Sequence, residues 1–362
     1  MKHRYGKRIT SAFAFTVLMI LSQTMVFAGN PDRIGANGAD QLLLNPWARS
    51  SGYANANYAS VTGLDAMYGN VSGLALIDQT QLSFNHTRYL GGSGIALNSG
   101  GLAQRVGQAG VLGVSIFTMN VGDIERTTVN QPEGGLGTYR PSFGHIAVSY
   151  AREFSNSIYA GATMKVVTEG VPDSRAQGVA FDAGIRYITG KHNNFKFGIS
   201  LKNVGPKMTV RGDGLSITNV LEEKQFTLEQ RSEGYELPAV LNLSLTYDFL
   251  FGSIQEVDEG KFVAEHRISP ALNFMSNSFG QDQVSVGVEW AFKEFLMIRG
   301  GYVYEEGIRD REIARTVLTG PAGGFTLALP MGESGRTIDF DYSYRHTNPF
   351  SGIHTIGLML DL

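Results

Sequence analysis

Cysteine is absent from the 362 residues, so no disulfide, thiolate metal site, cysteine nucleophile or lipidated N-terminal cysteine is available. Charge is scarce: Asp, Glu, Lys and Arg make up 17%, against about 25% in ordinary soluble domains. Proline is sparse too, and 11 Pro beside 21 Phe and 15 Tyr excludes both collagen and a solvated, disordered chain. Neither sign of charge dominates, and a formal net charge of −3 offers no general attraction for nucleic acid. Long apolar runs are also missing: beyond residue 28 none approaches the ~18 residues of a spanning helix. Glycine, at 45 residues, and aromatic side chains are what the chain has in plenty.

Residues 1–28 read as a secretory signal peptide. Lys2, Arg4, Lys7 and Arg8 form a positive start, Ile9 to Leu21 is apolar, and Val26 and Ala28 occupy the −3 and −1 positions of a cleavage site. Thirteen apolar-rich residues fall short of the ~20 that a membrane anchor requires. Loss of the four basic residues lowers the net charge by four, so the exported chain is mildly acidic. With no spanning helix in prospect, the choice lies between a soluble exported protein and a transmembrane β-barrel, because only helices and closed barrels satisfy their backbone polar groups in lipid.

Periodicity decides for the barrel. In residues 239–249, Leu241, Leu243, Leu245, Tyr247 and Phe249 share one face, and Asn242, Ser244, Thr246 and Asp248 share the other. Side chains of a strand alternate in this way, whereas a helix would scramble them. About fourteen such segments follow one another: near 79–90, 93–103, 110–122, 143–153, 157–167, 178–189, 195–203, 238–250, 263–275, 283–293, 295–304, 322–330, 336–346 and 353–362. Segments of ~10 residues with one apolar face are the signature of a membrane barrel. The expected fold is therefore all-β: a transmembrane antiparallel β-barrel of about fourteen strands.

Connection lengths support the same reading, since outer-membrane barrels carry short periplasmic turns and longer outer loops. If the first strand runs outward, the connections at 154–156, 190–194, 293–294 and 331–335 fall inside, and those at 123–142, 168–177, 204–237 and 305–321 fall outside. The inner turn at 251–262 is longer than its class. An even strand number puts both termini on the periplasmic side of the outer membrane, with lipid as the surrounding partner.

The same register turns Lys165, Asp182, Arg186, Lys196, Lys202, Asp248, Arg267, Glu289, Arg299, Asp339, Asp341 and Arg345 toward the lumen. Both signs are mixed, so the expectation is mutual pairing and contact with a plug rather than a charged selectivity ring. His86, His145, His192, His266, His346 and His354 are scattered without metal-ligand spacing, and no nucleophile turn accompanies them. No enzyme, cofactor or metal site is expected. Pro270 interrupts the alternating stretch 263–275 and, lacking an N–H, marks a possible kink or opening in the wall.

Residues 29–76 precede the first strand of the barrel at 77–362 and do not alternate. They contain Leu42-Leu43-Leu44-Asn45-Pro46, Ala48-Arg49-Ser50-Ser51-Gly52 and Asp65-Ala66-Met67-Tyr68-Gly69-Asn70-Val71-Ser72-Gly73-Leu74-Ala75. Some 45 residues of this composition do not form a domain alone, but packed inside a barrel they form a plug. The order of apolar triplet, Ala-Arg, Gly turn, Asp-Ala, aromatic and Asn-x-x-Gly-Leu-Ala, followed by about fourteen strands, resembles the PorV/PorQ family of outer-membrane barrels, themselves similar to FadL-type fatty-acid channels. The family's last element usually reads Asn-Pro-Ala-Gly-Leu-Ala; here Val71 and Ser72 stand at its second and third positions. The resemblance implies a role in type IX secretion, with the translocon or a surface attachment complex as partner. It places Asn45, Pro46, Arg49, Asn70, Gly73 and Leu74 in the plug and gives none of them catalytic work.

The connection 204–237 is too long for a simple turn, and a loop beyond ~15 residues is usually functional or disordered. Val210 and Ile217 bracket a possible hairpin, and Arg211-Gly212-Asp213 reads as turn chemistry rather than an adhesion tripeptide. The expectation is a non-enzymatic outer-membrane barrel of type IX secretion or surface attachment. Its alternatives are a FadL-like channel for hydrophobic small molecules and a passive porin or structural barrel.

Overall fold

A computed structural model describes residues 33–362 except 222–223, 259–260, 309–315 and 333–335. The segment read as a signal peptide therefore lies outside the described residues. Fourteen long strands follow in chain order: β1 Thr80–Tyr89, β2 Ile95–Val106, β3 Gly110–Asn120, β4 Ser142–Ser155, β5 Ile158–Val171, β6 Ser174–Thr189, β7 Phe195–Val204, β8 Val240–Tyr247, β9 Lys261–Asn277, β10 Gln283–Phe292, β11 Leu296–Glu305, β12 Gly320–Pro330, β13 Thr337–Arg345 and β14 Ile353–Asp361. Each pairs antiparallel with its sequence neighbours, and β1 closes the circle on β14 from Gln81↔Asp361 to Arg88↔His354.

Alternation is expressed directly in this wall. Along β8, Leu241, Leu243 and Leu245 are exposed on the outer face, and Val240, Asn242, Ser244 and Thr246 are buried toward the lumen. Leu112, Val114 and Ile116 on β3, Ile146, Val148 and Tyr150 on β4, and Phe181, Ile185 and Tyr187 on β6 continue the apolar belt. An outer surface this apolar matches hydrocarbon and would be a liability in water.

Connections between the strands sort by length onto the two ends. One end has short connections at 107–109, 156–157, 190–194, 293–295 and 331–336; the other has 121–141, 205–239 and 306–319 among its seven connections. Two connections differ from the sequence reading. The expected outer loop at 168–177 is a tight turn of Pro172 and Asp173, because β5 and β6 extend as a tall hairpin; Asp173 adopts φ 66° there. The long inner turn is likewise a hairpin. Phe249–Asp258 continues β8 and pairs with β9 beyond the points where β7 begins and β10 ends.

Pro270 does not kink the wall. The β9–β10 register runs unbroken from His266↔Phe292 to Met275↔Gln283 through Pro270↔Val288. On the other side Thr246↔Ala271 and Phe249↔Ile268 lie in one register; between them the ladder is interrupted at Asp248, whose N–H turns to Asn194, and the register slips only farther along, between Phe251 and Ile254 and between Glu256 and Asp258. The missing N–H removes a ladder bond without adding a residue, so nothing shifts. The true irregularity in the middle of the wall is in β7. Register slips between Phe181↔Val204 and Ala183↔Leu201, and Asn203 takes φ 60°, so the consecutive Lys202 and Asn203 are both buried on the lumenal face.

Residues 39–77 fill the inside of the barrel. Short helical turns at Asp40–Leu43, Ala48–Gly52, Gly63–Met67 and Val71–Leu76 lead from the long-loop end toward the start of β1. Ala48–Gly52 packs against β11 to β14, Gly63–Met67 against β1 to β3, and Val71–Leu76 against β3 to β6. Leu362 is bonded to Thr80 at the short-turn end, and Arg33 lies at the long-loop end, ion-paired to Glu236 at 2.9 Å and stacked over Phe279.

Candidate functional site: a filled lumen below an apolar chamber

The lumenal segment touches the wall through the residues of its own sequence motifs. Asn45 accepts from the Trp47 N–H at 2.9 Å and donates to Asn55 at 2.7 Å, which turns the buried Pro46 into the helix Ala48–Gly52. Asn70 accepts from the Ser72 N–H at 3.2 Å and starts the last helical turn. Its amide also donates to the carbonyls of Ile185 on β6 and Ile199 on β7, at 3.2 and 3.3 Å. Gly73 lies so close to the Val61 carbonyl that a Cβ would stand 2.0 Å from it, and Leu74 is fully buried over Gly113. Inward glycines of the wall, such as Gly101, Gly184 and Gly287, receive Leu64, Asn70 and Tyr53 in the same manner. Much of the glycine abundance therefore serves close approach of two backbones.

Arg49 carries the electrostatic connection. Its guanidinium donates to Asp341 at 3.0 and 3.2 Å and to Asp339. Thr326 donates to Asp341 and accepts from Arg299, which pairs with Glu289 at 2.9 Å. Glu289 meets Arg267 at 3.0 Å, and Arg267 meets Glu294 at 2.7 Å. Alternating charges thus form one ladder across β9 to β13, and the lumenal segment is its terminal cation. Alternation of sign lets each buried ion satisfy its neighbours.

Other lumenal charges are arranged differently. Lys165 and Asp182 form a pair at 2.5 Å, each about 97% buried, with Asn203 accepting from Lys165 at 2.9 Å and donating its N–H to Asp182 at 2.8 Å. The bulge brings Lys202 to 3.6 Å from the Tyr68 ring centre. Arg186 donates to the Val61 carbonyl, and Arg345 is buried at the long-loop end of β13; neither has a carboxylate partner among the described residues. Asp182→Ala should cost about 3–5 kcal/mol by stranding Lys165, and Lys165→Met with Asp182→Leu should restore most of it. The urea midpoint of the barrel folded into detergent measures both.

Above this packed level, at the long-loop end, lies a chamber of about 620 Å³. Tyr89, Met119, Phe143 and Ala176 line it from the wall, Ala39 and Leu44 from the lumenal segment, and Val210 and Tyr235 from the long connection. Its polar lining includes Gln41, Asp40 and Glu169, the last accepting from the Tyr235 hydroxyl. Burial, followed by the Glu169 carboxylate, raises the Tyr235 phenol above its ordinary range, so it remains a donor. Residues 216–221 and 224–229 form a hairpin in the same connection, and Gly212 of the Arg-Gly-Asp triplet turns at φ 139° beside Asp173.

One flank of the chamber is not closed by a strand. The β6–β7 ladder ends at Phe181↔Val204, and farther up only Val210 and Arg211 pair with β6. Between them the loop 205–209 covers residues 177–180, with Met208 against Gly178. Met208, Leu237, Ala39, Leu42, Val167, Ala176 and Ala180 form one apolar cluster there. Sequence reading missed this chamber, because its walls come from β1, β3, β4, β5, β6, the lumenal segment and the connection 205–239, which are scattered along the chain. Only the consecutive Lys202-Asn203 at the end of an alternating run hinted at the nearby bulge.

No family model and no curated protein matches the chain. Among solved structures, the toluene transporter TodX of Pseudomonas putida aligns over 85% of this chain and 97% of its own, with TM-score 0.50 and 12% identity. The toluene transporter TbuX of Ralstonia pickettii aligns over 88% and 97%, with TM-score 0.47 and 12% identity. A FadL homologue from Pseudomonas aeruginosa aligns over 87% and 98%, with TM-score 0.48 and 11% identity. The TodX likeness shows the fold: a closed antiparallel barrel of fourteen strands with an N-terminal segment preceding it.

Proposed function

We propose that this protein is a non-enzymatic outer-membrane channel for hydrophobic small molecules, with the long loops at the cell surface and residues 33–76 as its plug. The apolar chamber at the long-loop end is the observation that carries this reading. A molecule entering between the outer loops meets Tyr89, Met119 and Phe143 before it reaches the charged, close-packed level below. The seam beneath Met208, where β6 lacks a neighbouring strand, offers an apolar way sideways into lipid. Crossing the polar level is thereby avoided, and with it the desolvation of buried ions. The fold likeness to a barrel named as a toluene transporter supports the same reading.

Deletion of the gene should slow uptake of radiolabelled toluene or methyl oleate, and the wild-type gene should restore it. Met119→Trp and Val210→Trp, which fill the chamber without touching the charge ladder, should reduce uptake at least fivefold while the protein remains folded in the outer membrane. Unchanged uptake in the deletion strain overturns the channel reading.

A role in type IX secretion is the second reading, supported by the resemblance of residues 41–76 and by the tight filling of the lumen, which suits a scaffold as well as a channel. It predicts that deletion releases or retains cargo that is normally anchored at the surface. Intact anchoring in a strain without a second copy of the gene would sink it.

A further inference from the structure

Gln41 is the most informative polar group in the chamber. It stands on the short turn Asp40–Leu43, is 5% exposed, and its Nε2 has no hydrogen-bond partner among the described residues. A buried amide that forgoes a hydrogen bond costs free energy unless a ligand supplies the acceptor. The charges around it are negative. Glu169 projects inward from β5, and Asp40, held by the Asn37 amide at 2.6 Å, lines the same space. Arg175, the one cation at the rim, is exposed and occupies an outward position of β6, between the buried inward residues of that strand. The buried cations Lys165, Lys202, Arg186 and Arg345 do not line the chamber.

We propose that the chamber selects uncharged, mostly apolar molecules that carry one hydrogen-bond acceptor, such as an ester, ketone or alcohol, and discriminates against carboxylates. The acceptor receives the Gln41 Nε2–H, while the rest of the molecule lies against Met119, Phe143 and Tyr89. A carboxylate would lose its hydration and gain two like charges, so both effects oppose it. An alkane fits the cavity but leaves the Gln41 amide unsatisfied. This inference rests on the channel reading and names the substrate class of that site.

Three ligands of nearly equal size separate the cases: methyl decanoate, decanoate and undecane. Their displacement of aminoanthracene from the purified, detergent-solubilised protein is the readout, with Met119→Trp protein as the micelle blank. The expected order of affinity is methyl decanoate, then undecane, then decanoate, with about tenfold between ester and alkane, one net hydrogen bond to a buried donor. Gln41→Leu should erase that margin and leave undecane unchanged. Glu169→Gln should strengthen decanoate binding alone. Decanoate binding as tightly as its ester, or Gln41→Leu weakening all three ligands equally, overturns the proposal while leaving the channel intact. If none of the three displaces the dye from wild-type protein, the channel reading falls as well.

Discussion

Arg49→Ala is expected to convert a silent barrel into a conducting one. The guanidinium is the only link between the lumenal segment and the carboxylates of Asp339 and Asp341 among the described ion pairs, and both carboxylates are more than 90% buried. Its removal leaves two like charges on alternate positions of β13, with Arg299 4.0 Å from Asp341 as the remaining cation. Breaking a buried ion pair by deleting one partner costs about 3–5 kcal/mol, because the other charge is left uncompensated. The cost falls on the segment rather than on the wall, whose strand ladders are unaffected. Wild-type protein in a planar bilayer should therefore show no steady conductance, and Arg49→Ala should show sustained openings. Hydrogen exchange at residues 41–76 should rise in parallel. Arg49→Lys should be intermediate, since an ammonium keeps the charge but cannot span two carboxylates as a fork does. A silent Arg49→Ala barrel with a protected segment would mean that packing alone holds the lumenal segment in place.

The second large effect is expected from Gly73→Val. A Cβ at this position would lie 2.0 Å from the Val61 carbonyl oxygen, 2.6 Å from the Arg186 guanidinium and 3.0 Å from the Ala66 Cβ. Two of these neighbours are backbone or backbone-fixed, so they cannot swing aside. The Val61 carbonyl also accepts a hydrogen bond from Arg186, whose Nε and Nη1 have no partner among the described residues. Pushing the loop away therefore strands a buried cation. Overpacking of about 1–3 kcal/mol adds to a lost charged hydrogen bond of about 1.5–3 kcal/mol. The heat-modifiable band on a semi-native gel should convert at a clearly lower temperature. Gly300→Ala, whose Cβ would meet nothing closer than 3.7 Å, should leave that temperature unchanged. Equal behaviour of the two variants would show that the motif glycine is not a contact residue.

These two sites differ in how visible they were beforehand. Arg49 and Gly73 stand in short motifs that precede the alternating region, so both attracted notice as residues. The partners of Arg49 are some 290 positions away, and nothing local pairs them with it. The acceptor for Arg186 is a backbone carbonyl, which no side-chain pattern can announce. Pro270 shows the opposite error. One missing N–H points to a kink or opening in the wall, yet the partners Ala271↔Thr246 and Val288↔Pro270 hold the register through it. The wall's bulge lies instead at Lys202 and Asn203, where it places two consecutive polar side chains in the lumen.

Scarce charge and abundant glycine thus divide into a local part and a spatial part. Alternation is a property of neighbouring residues, since successive strand side chains point to opposite faces. For that reason Leu241 to Phe249, and the thirteen runs like it, determined by themselves an antiparallel barrel with an apolar exterior and a count of fourteen. Which inward residue meets which depends on closure of the sheet and on the path of residues 33–79 through it. Those are relations between segments far apart in the chain. Only the tertiary structure decided that Arg49 completes a charge ladder, that wall glycines receive the lumenal segment, and that Gln41, Glu169, Met119 and Phe143 enclose one chamber.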